Sequence, residues 1–333
     1  MDRQWLEATP ETVLEPDLEI CDAHHHLWPS GTTGRSDYDL EQLWLDTGAG
    51  HRVVDTVFIE CSAAYLDEGP DRLRPVGETR FVADRAARSE RAAGSTIAAI
   101  VGHADLTLGD AVAEVLHAHV EAAGGRFRGI RHSAAWDPSP LIPRSHSNPP
   151  PQLYALGEVR RALAVLSSMG LSFEAWQLHP QLDDVVALAR AVPGLTIVVN
   201  HLGAPMGIGP YAGRRAEVLE VWRPAMERLA ECPNVFLKLG GIGMARFGAG
   251  FDTWTRPPSS DELLAFWGEQ LRWCIETFGP ARCMFESNHP VDAESCSYVV
   301  LWNAFKKVSA GYTRAERARL FAGTARDVYR IDR

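Results

Sequence analysis

The chain has 333 residues, of which 46% are hydrophobic and 23% charged, so an ordinary buried core is available and large-scale disorder is excluded. Lysine and arginine total 33 against 43 acidic residues, and this excess of negative charge argues against a nucleic-acid or anionic-membrane partner. The first residues lack the basic-then-apolar pattern of a secretory leader, and no apolar run approaches the roughly 20 residues that span a bilayer. Six scattered cysteines with no C-x-x-C pair fit a reduced, cytoplasmic setting.

After an N-terminal extension over residues 1–17, short apolar runs recur at even intervals. They cover residues 18–28, 54–63, 96–106, 127–136, 171–179, 195–203, 235–244 and 282–291. Stretches with helical character separate most of them, at 110–123, 157–169, 182–191, 217–230 and 261–278, the last with Ser260 or Asp261 as its N-cap. Strand alternating with helix means parallel strands joined by crossovers. Eight such units fit an α/β fold of one domain over residues 18–333, a distorted (β/α)8 TIM barrel; an open doubly wound sheet is the competitor. Residues 137–152, 204–215 and 245–260, rich in Pro, Ser or Gly, each follow a strand and extend the βα loops, where barrels build their sites.

Polar groups gather at the ends of these runs. The first ends in Asp22-Ala23-His24-His25-His26. Side chains alternate along a strand, so His24 and His26 share one face with Asp22, which would orient a ring, and His25 points away. Two imidazoles on one strand face suit a divalent ion. His179 closes the fifth run and His201 the sixth, and the eighth ends Phe285-Glu286-Ser287-Asn288-His289-Pro290. Arg131 and His132 close the fourth. Arg131 is placed to grip a substrate carboxylate, or else to pair with an acidic neighbour such as Asp137. Glu60, in the apolar Val57-Phe58-Ile59-Glu60-Cys61, is either a catalytic carboxylate or half of a buried ion pair. Lys238 inside Phe236-Leu237-Lys238-Leu239 reads as an ion-pair partner of Glu60 or Glu286, with a Schiff-base role as the alternative. Trp176, Tyr211 and Trp254 read as packing residues. No phosphate-binding glycine loop and no G-x-S-x-G elbow follows a strand.

Asp22-Ala23-His24-His25-His26-Leu27-Trp28, Gly129-Ile130-Arg131-His132, Asn200-His201-Leu202-Gly203, Phe285-Glu286-Ser287-Asn288-His289-Pro290-Val291-Asp292 and Ala325-Arg326-Asp327-Val328-Tyr329 occur in that order. The ordered set resembles the amidohydrolase superfamily, in the amidohydrolase-related branch that includes lactonases of sugar acids and of pyrone dicarboxylate. The resemblance implies a distorted barrel with its site at the C-terminal face. Where a metal is present, its ligands would be His24, His26, His179 and His201, with an aspartate after the eighth strand. Asn288 stands at that position, and a neutral amide neither ligates a cation with charge nor takes a proton from water.

Two routes to activated water stay open. Zinc or another divalent metal held by neutral imidazoles can acidify water without an anionic ligand. In a metal-independent enzyme His179 or His201 would act as base, with Glu286 or Glu60 as further candidates. The expected catalytic set is therefore His179, His201, Asn288, Glu286, Arg131 and His132. The expected reaction is hydrolysis of a lactone or other C–O ester in a small acidic or cyclic substrate. A decarboxylase or other C–C lyase is the rival within the fold, and a non-catalytic small-molecule binding barrel is the rival outside enzymology. By the resemblance, the barrel would pair into a homodimer.

Overall fold

A computed structural model describes residues 2–31 and 36–332. Each apolar run becomes a parallel strand, because a strand covered on both faces is apolar along its length. The strands are β1 (Glu19–His25), β2 (Arg52–Ile59), β3 (Thr96–Gly102), β4 (Phe127–Arg131), β5 (Ser172–Ala175), β6 (Ile197–Val199), β7 (Val235–Leu239) and β8 (Cys283–Phe285). They neighbour one another in sequence order, each pairing parallel with the next. After the short α1 (Arg3–Leu6), one helix follows each strand: α2 (Leu40–Thr47), α3 (Val76–Ser89), α4 (Val112–Ala122), α5 (Gly157–Ser168), α6 (Leu182–Ala191), α7 (Arg215–Ala230), α8 (Ser260–Phe278) and α9 (Tyr298–Val308). Two short helices, α10 (Arg314–Ala318) and α11 (Thr324–Tyr329), end the chain. This is the (β/α)8 barrel, and the open sheet is excluded by the seam between its first and last strands.

That seam is where the barrel is distorted. β1 and β8 join through single contacts beyond β8, with the His26 N–H donating to the His289 carbonyl and the Asn288 N–H to the His24 carbonyl, both at 2.8 Å. The two motifs with the most polar residues therefore close the cylinder against each other.

The core has two shells. Between sheet and helices lies a large apolar layer that includes Ile20, Phe58, Leu237 and Phe285. Inside the barrel sits a smaller one of Cys21, Ala23, Val57, Ile59, Val101, Val198 and Met284. Ala322, Ala325, Val328 and Tyr329 pack into this inner shell, so α11 and the turn before it plug one end of the barrel. At the other end, Ile142 of the loop after β4 is buried and approaches Gly209 of the loop after β6, while the Tyr211 hydroxyl donates to Asp137 Oδ2 at 2.8 Å. The N-terminal residues lie against the barrel wall: Thr9 Oγ1 donates to the Pro257 carbonyl and the Leu14 N–H to Asn303 Oδ1.

Two local expectations are corrected. The N-cap of α8 is Ser259, not Ser260 or Asp261. Its hydroxyl accepts from the Glu262 N–H while Glu262 accepts from the Ser259 N–H, so the box needs a serine three residues before the glutamate. Asp22 does not share a face with His24. Ala23 belongs to the inner shell, yet its neighbour His24 also reaches inward, because the β1–β2 register shifts between Asp22 and His25. Asp22 instead accepts from the Ser287 N–H at 2.8 Å and from the Tyr298 hydroxyl at 3.0 Å, tying β1 to the segment after β8 and to α9.

Candidate active site

The irregular end of β1 delivers two imidazoles to one point. His26 Nδ1 lies 2.7 Å from the Ile59 carbonyl oxygen, and His24 Nδ1 lies 2.8 Å from Glu286 Oε2. Opposite the Ile59 carbonyl, His26 Nδ1 carries the hydrogen, which leaves a lone pair on its Nε2, while His24 Nδ1 stands between the Glu286 carboxyl and the Lys238 ammonium. The two Nε2 atoms face each other at 3.2 Å. Two lone pairs at that separation repel unless a proton or a cation sits between them. His25 points the other way, its ring edge-on to Phe58 in the outer shell.

Glu286 serves two rings at once, since its Oε1 lies 2.7 Å from His201 Nδ1. The His201 and His24 rings stand 4.7 Å apart, and donor atoms of His24, His201 and Glu286 all lie within 4.8 Å of one another. His201 holds this place through a left-handed backbone (φ 50°) at the end of β6. Gly241, at φ +68°, passes so close that a Cβ there would stand 2.8 Å from the His201 ring. At Gly240 a Cβ would meet Glu286 Cγ at 2.2 Å. The glycine pair after β7 is therefore a cradle for the carboxylate and the imidazole.

Two buried ion pairs flank the cluster. Arg131 Nε donates to Glu60 Oε1 at 2.7 Å, and its Nη1 comes within 3.4 Å of His24 Nε2. On the other side Lys238 Nζ lies 2.9 Å from Glu174 Oε2 and 3.4 Å from His24 Nδ1. Glu174 also accepts from Asn200 Nδ2 and from the Tyr329 hydroxyl. Burial pushes the His24 and His201 imidazoles well below their ordinary value, helped by the neighbouring cations, so both are neutral. Burial likewise pushes the Glu286 carboxyl up to about 8, against the pull of Lys238.

The donor set fits a divalent cation. Two imidazole nitrogens bound tetrahedrally at about 2.0–2.1 Å stand roughly 3.3–3.4 Å apart, close to the spacing of the His24 and His26 Nε2 atoms. Neutral imidazole is the ligating form, and a carboxylate behind the ring is the usual orienting partner. A cation beside His24 also lowers the Glu286 pKa, so cation binding and ionisation of Glu286 favour each other. His24, His26 and His201 would hold the ion, with Glu286 fixing two of the three rings.

The sequence matches the amidohydrolase family (Amidohydro_2) over residues 21–331. The chain belongs to that family. It is 32% identical to the uncharacterized protein y4mH of Sinorhizobium fredii, covering 95% of this chain and 99% of that protein. It is 27% identical to an L-fucono-1,5-lactonase of Burkholderia ambifaria, covering 94% and 96% respectively. Among solved structures, a zinc-bound amidohydrolase of Burkholderia multivorans superposes with a TM-score of 0.71 at 24% identity, covering 94% of this chain and 99% of that one. These relatives place the chain in the amidohydrolase-related branch.

Of the other expected site residues in this amidohydrolase, Arg131 stands beside His24, while the side chains of His179, His132 and Asn288 are engaged with other partners. His179 is buried after β5, its Nδ1 accepting from the Met206 N–H at 3.4 Å and its ring edge-on to Tyr211. His132 accepts at Nδ1 from the Leu106 N–H, and burial drives its pKa down to about 3. Asn288 turns its amide to Asp292, Nδ2 to Oδ1 at 2.7 Å, and Asp292 in turn accepts from the Gly243 N–H. The partner of Arg131 is Glu60, not Asp137, and the partner of Lys238 is Glu174, not Glu60 or Glu286. Trp176 packs edge-on to the His201 ring.

Two residues at the mouth escaped the sequence reading. His146, from the Pro-rich loop after β4, places Nε2 2.8 Å from Glu60 Oε2. Arg246 stacks over Trp176 at 5.8 Å and lines a cavity of about 670 Å³ with Trp28, Met244, Pro290 and Glu294. Both lie in loops with no periodicity, and a lone histidine or arginine in such a loop carries no sequence signal. Among the described residues, no helix is long and apolar enough to cross a membrane, and all six cysteines are free and buried.

Proposed function

We propose that this amidohydrolase hydrolyses a C–O ester bond in a small cyclic substrate, a lactone, with a divalent cation, zinc, held by His24, His26 and His201. The observation that carries the proposal is the pair of buried Nε2 atoms of His24 and His26 facing each other at 3.2 Å, with His26 Nδ1 bonded to the Ile59 carbonyl and His24 Nδ1 beside Glu286. When bound, the ion supplies Lewis-acid polarisation of a carbonyl and acidifies water. The Burkholderia lactonases and the zinc in the Burkholderia multivorans structure support the same reading.

The chain's own residues do the rest. Glu286, with Oε1 2.7 Å from His201 Nδ1 and Oε2 2.8 Å from His24 Nδ1, orients both rings, and once ionised it favours the tautomers whose Nε2 atoms are basic. Arg131, with Nη1 at the edge of the cluster, sets a fixed cation where charge develops on the carbonyl oxygen. Because Arg131 is tied to Glu60, Arg246, which stacks over the Trp176 ring beside His201, is the cation left to meet an acidic substituent.

Purified protein supplemented with zinc should release acid from at least one member of a lactone panel that includes L-fucono-1,5-lactone and carboxylated lactones. The product should be the ring-opened hydroxy acid, heavier by one water. Failure to open any lactone, or release of carbon dioxide from a carboxylated substrate without ring opening, overturns the proposal.

A further inference from the structure

The residue that ordinarily supplies a carboxylate after the eighth strand is here Asn288, whose amide donates to Asp292, so the proton from the attacking water has to go elsewhere. A group able to take it stands on the opposite side of the mouth. The loop after β4 brings His146 onto Glu60, with Nε2 2.8 Å from Oε2, and the adjacent Ser147 hydroxyl donates to the Ser133 carbonyl at 3.3 Å. Glu60 is fully buried, while the His146 side chain keeps 24% of its surface exposed. Among the described residues nothing bonds to His146 Nδ1. The imidazole is thus anchored by a carboxylate at one nitrogen and open at the other, the arrangement of an oriented acid–base histidine.

Glu60 joins this histidine to the metal-ligand cluster. Its second oxygen accepts from Arg131 Nε at 2.7 Å, and Arg131 Nη1 reaches to 3.4 Å from His24 Nε2. The titratable and charged groups facing His146 are Glu60 itself, Arg131 behind it, the His103 ring, centred 6.5 Å away and bonded through Nδ1 to the Arg131 carbonyl, and His132, edge-on to His103 at 5.0 Å. A carboxylate shared by a permanent cation and an imidazole stays ionised and stabilises the imidazolium.

We propose that His146 is the acid–base residue of this enzyme, a reading that rests on the lactone hydrolysis put forward above. Neutral His146 takes a proton at Nδ1 from water as the water oxygen bonds to the carbonyl carbon. The imidazolium, paired with Glu60, then gives that proton to the ring oxygen as the acyl–oxygen bond breaks. One water is consumed, one hydroxy acid leaves, and His146 is neutral again. The loop after β4 thereby carries part of the chemistry as well as covering the barrel.

The test compares wild type, H146A and H146Q on the lactone that wild type opens fastest, with thermal unfolding to confirm the fold. Both variants should lose about 100-fold or more in kcat with KM changed only a few-fold, as expected for lost proton transfer. Added imidazole should restore part of the H146A rate, and the acid limb of the wild-type pH–rate profile should vanish in H146A. Wild-type kcat in either variant overturns the proposal. So does full activity in H146Q alone, because glutamine keeps the loop on Glu60 and moves no proton. If wild type opens no lactone, the hydrolase reading and this one fall together; if only the variants stay active, the hydrolase reading stands without His146.

Discussion

The Nε2 atoms of His24 and His26 face each other across 3.2 Å, with Glu286 beside Nδ1 of the first ring and the Ile59 carbonyl bonded to Nδ1 of the second. Protein purified without added metal and then equilibrated with zinc should bind close to one equivalent. His24→Ala combined with His26→Ala should abolish binding. Glu286→Gln should weaken it by about 10–100-fold, the usual effect of losing the partner that orients a ligand. Because burial holds the Glu286 carboxyl up at about 8 in the metal-free protein, its ionised form becomes available as pH rises, and affinity should climb between pH 6 and 8. Calorimetry with elemental analysis reads all of this. Stoichiometric zinc in the double variant would remove these rings from the metal site.

Asn288→Asp replaces a donor with an acceptor. Asn288 Nδ2 now donates to Asp292 Oδ1 at 2.7 Å, and burial already pushes the Asp292 carboxyl well above the ordinary range. Two carboxyl groups would compete for one proton there, costing about 1–3 kcal/mol in the absence of metal. The side chain is turned to Asp292, so metal content should not rise. Urea titration measures the first effect and elemental analysis the second; increased zinc in the variant would place position 288 beside the cation.

Lys238 and Glu174 form a pair with no exposed surface. Removing one partner leaves the other charge buried, which typically costs about 3–5 kcal/mol. Lys238→Met should approach that loss, and Lys238→Met with Glu174→Gln should recover much of it, since the glutamine oxygen can still accept from Asn200 Nδ2 while its amino group donates to the Tyr329 hydroxyl oxygen. Denaturant midpoints of the two variants and wild type decide this. Equal stability of the single and double variants would show that the pair contributes nothing of its own.

Acid should unfold the protein early. Burial lowers His51 and His119 to about 4 and His132 to about 3. Unfolded, these rings titrate near 6.5, so below that pH the unfolded chain binds protons that the folded chain refuses. Stability is complete above about 6.5 and falls as pH drops towards 4, with a slope of at most about 4 kcal/mol per pH unit from three protons. Melting temperatures recorded from pH 8 to 4.5 should decline steeply below 6.5; a flat profile would mean that these rings gain compensating partners on protonation.

The scaffold was legible because burial on both faces writes each strand as an apolar run, and all eight runs became strands. Their ends were not. The run at 171–179 yields the strand Ser172–Ala175, since the polar tail Gln177 to His179 leaves the sheet to build the mouth. The pairings of Arg131 with Glu60 and Lys238 with Glu174 join residues far apart in sequence, and only the closed cylinder sets which charges meet. Alternation placed Asp22 beside His24, and one register shift in β1 was enough to undo that. His146 was beyond reach for a different reason: its position depends on how a proline-rich loop folds over the barrel, which no repeat or spacing encodes.

The hydroxyl of Tyr329, four residues before the end of the chain, reaches through the plugged end of the barrel to Glu174 beneath the histidines. The last helix is thus tied to the carboxylate that pairs with Lys238, and a change at Tyr329 reaches the histidines from the far end of the barrel.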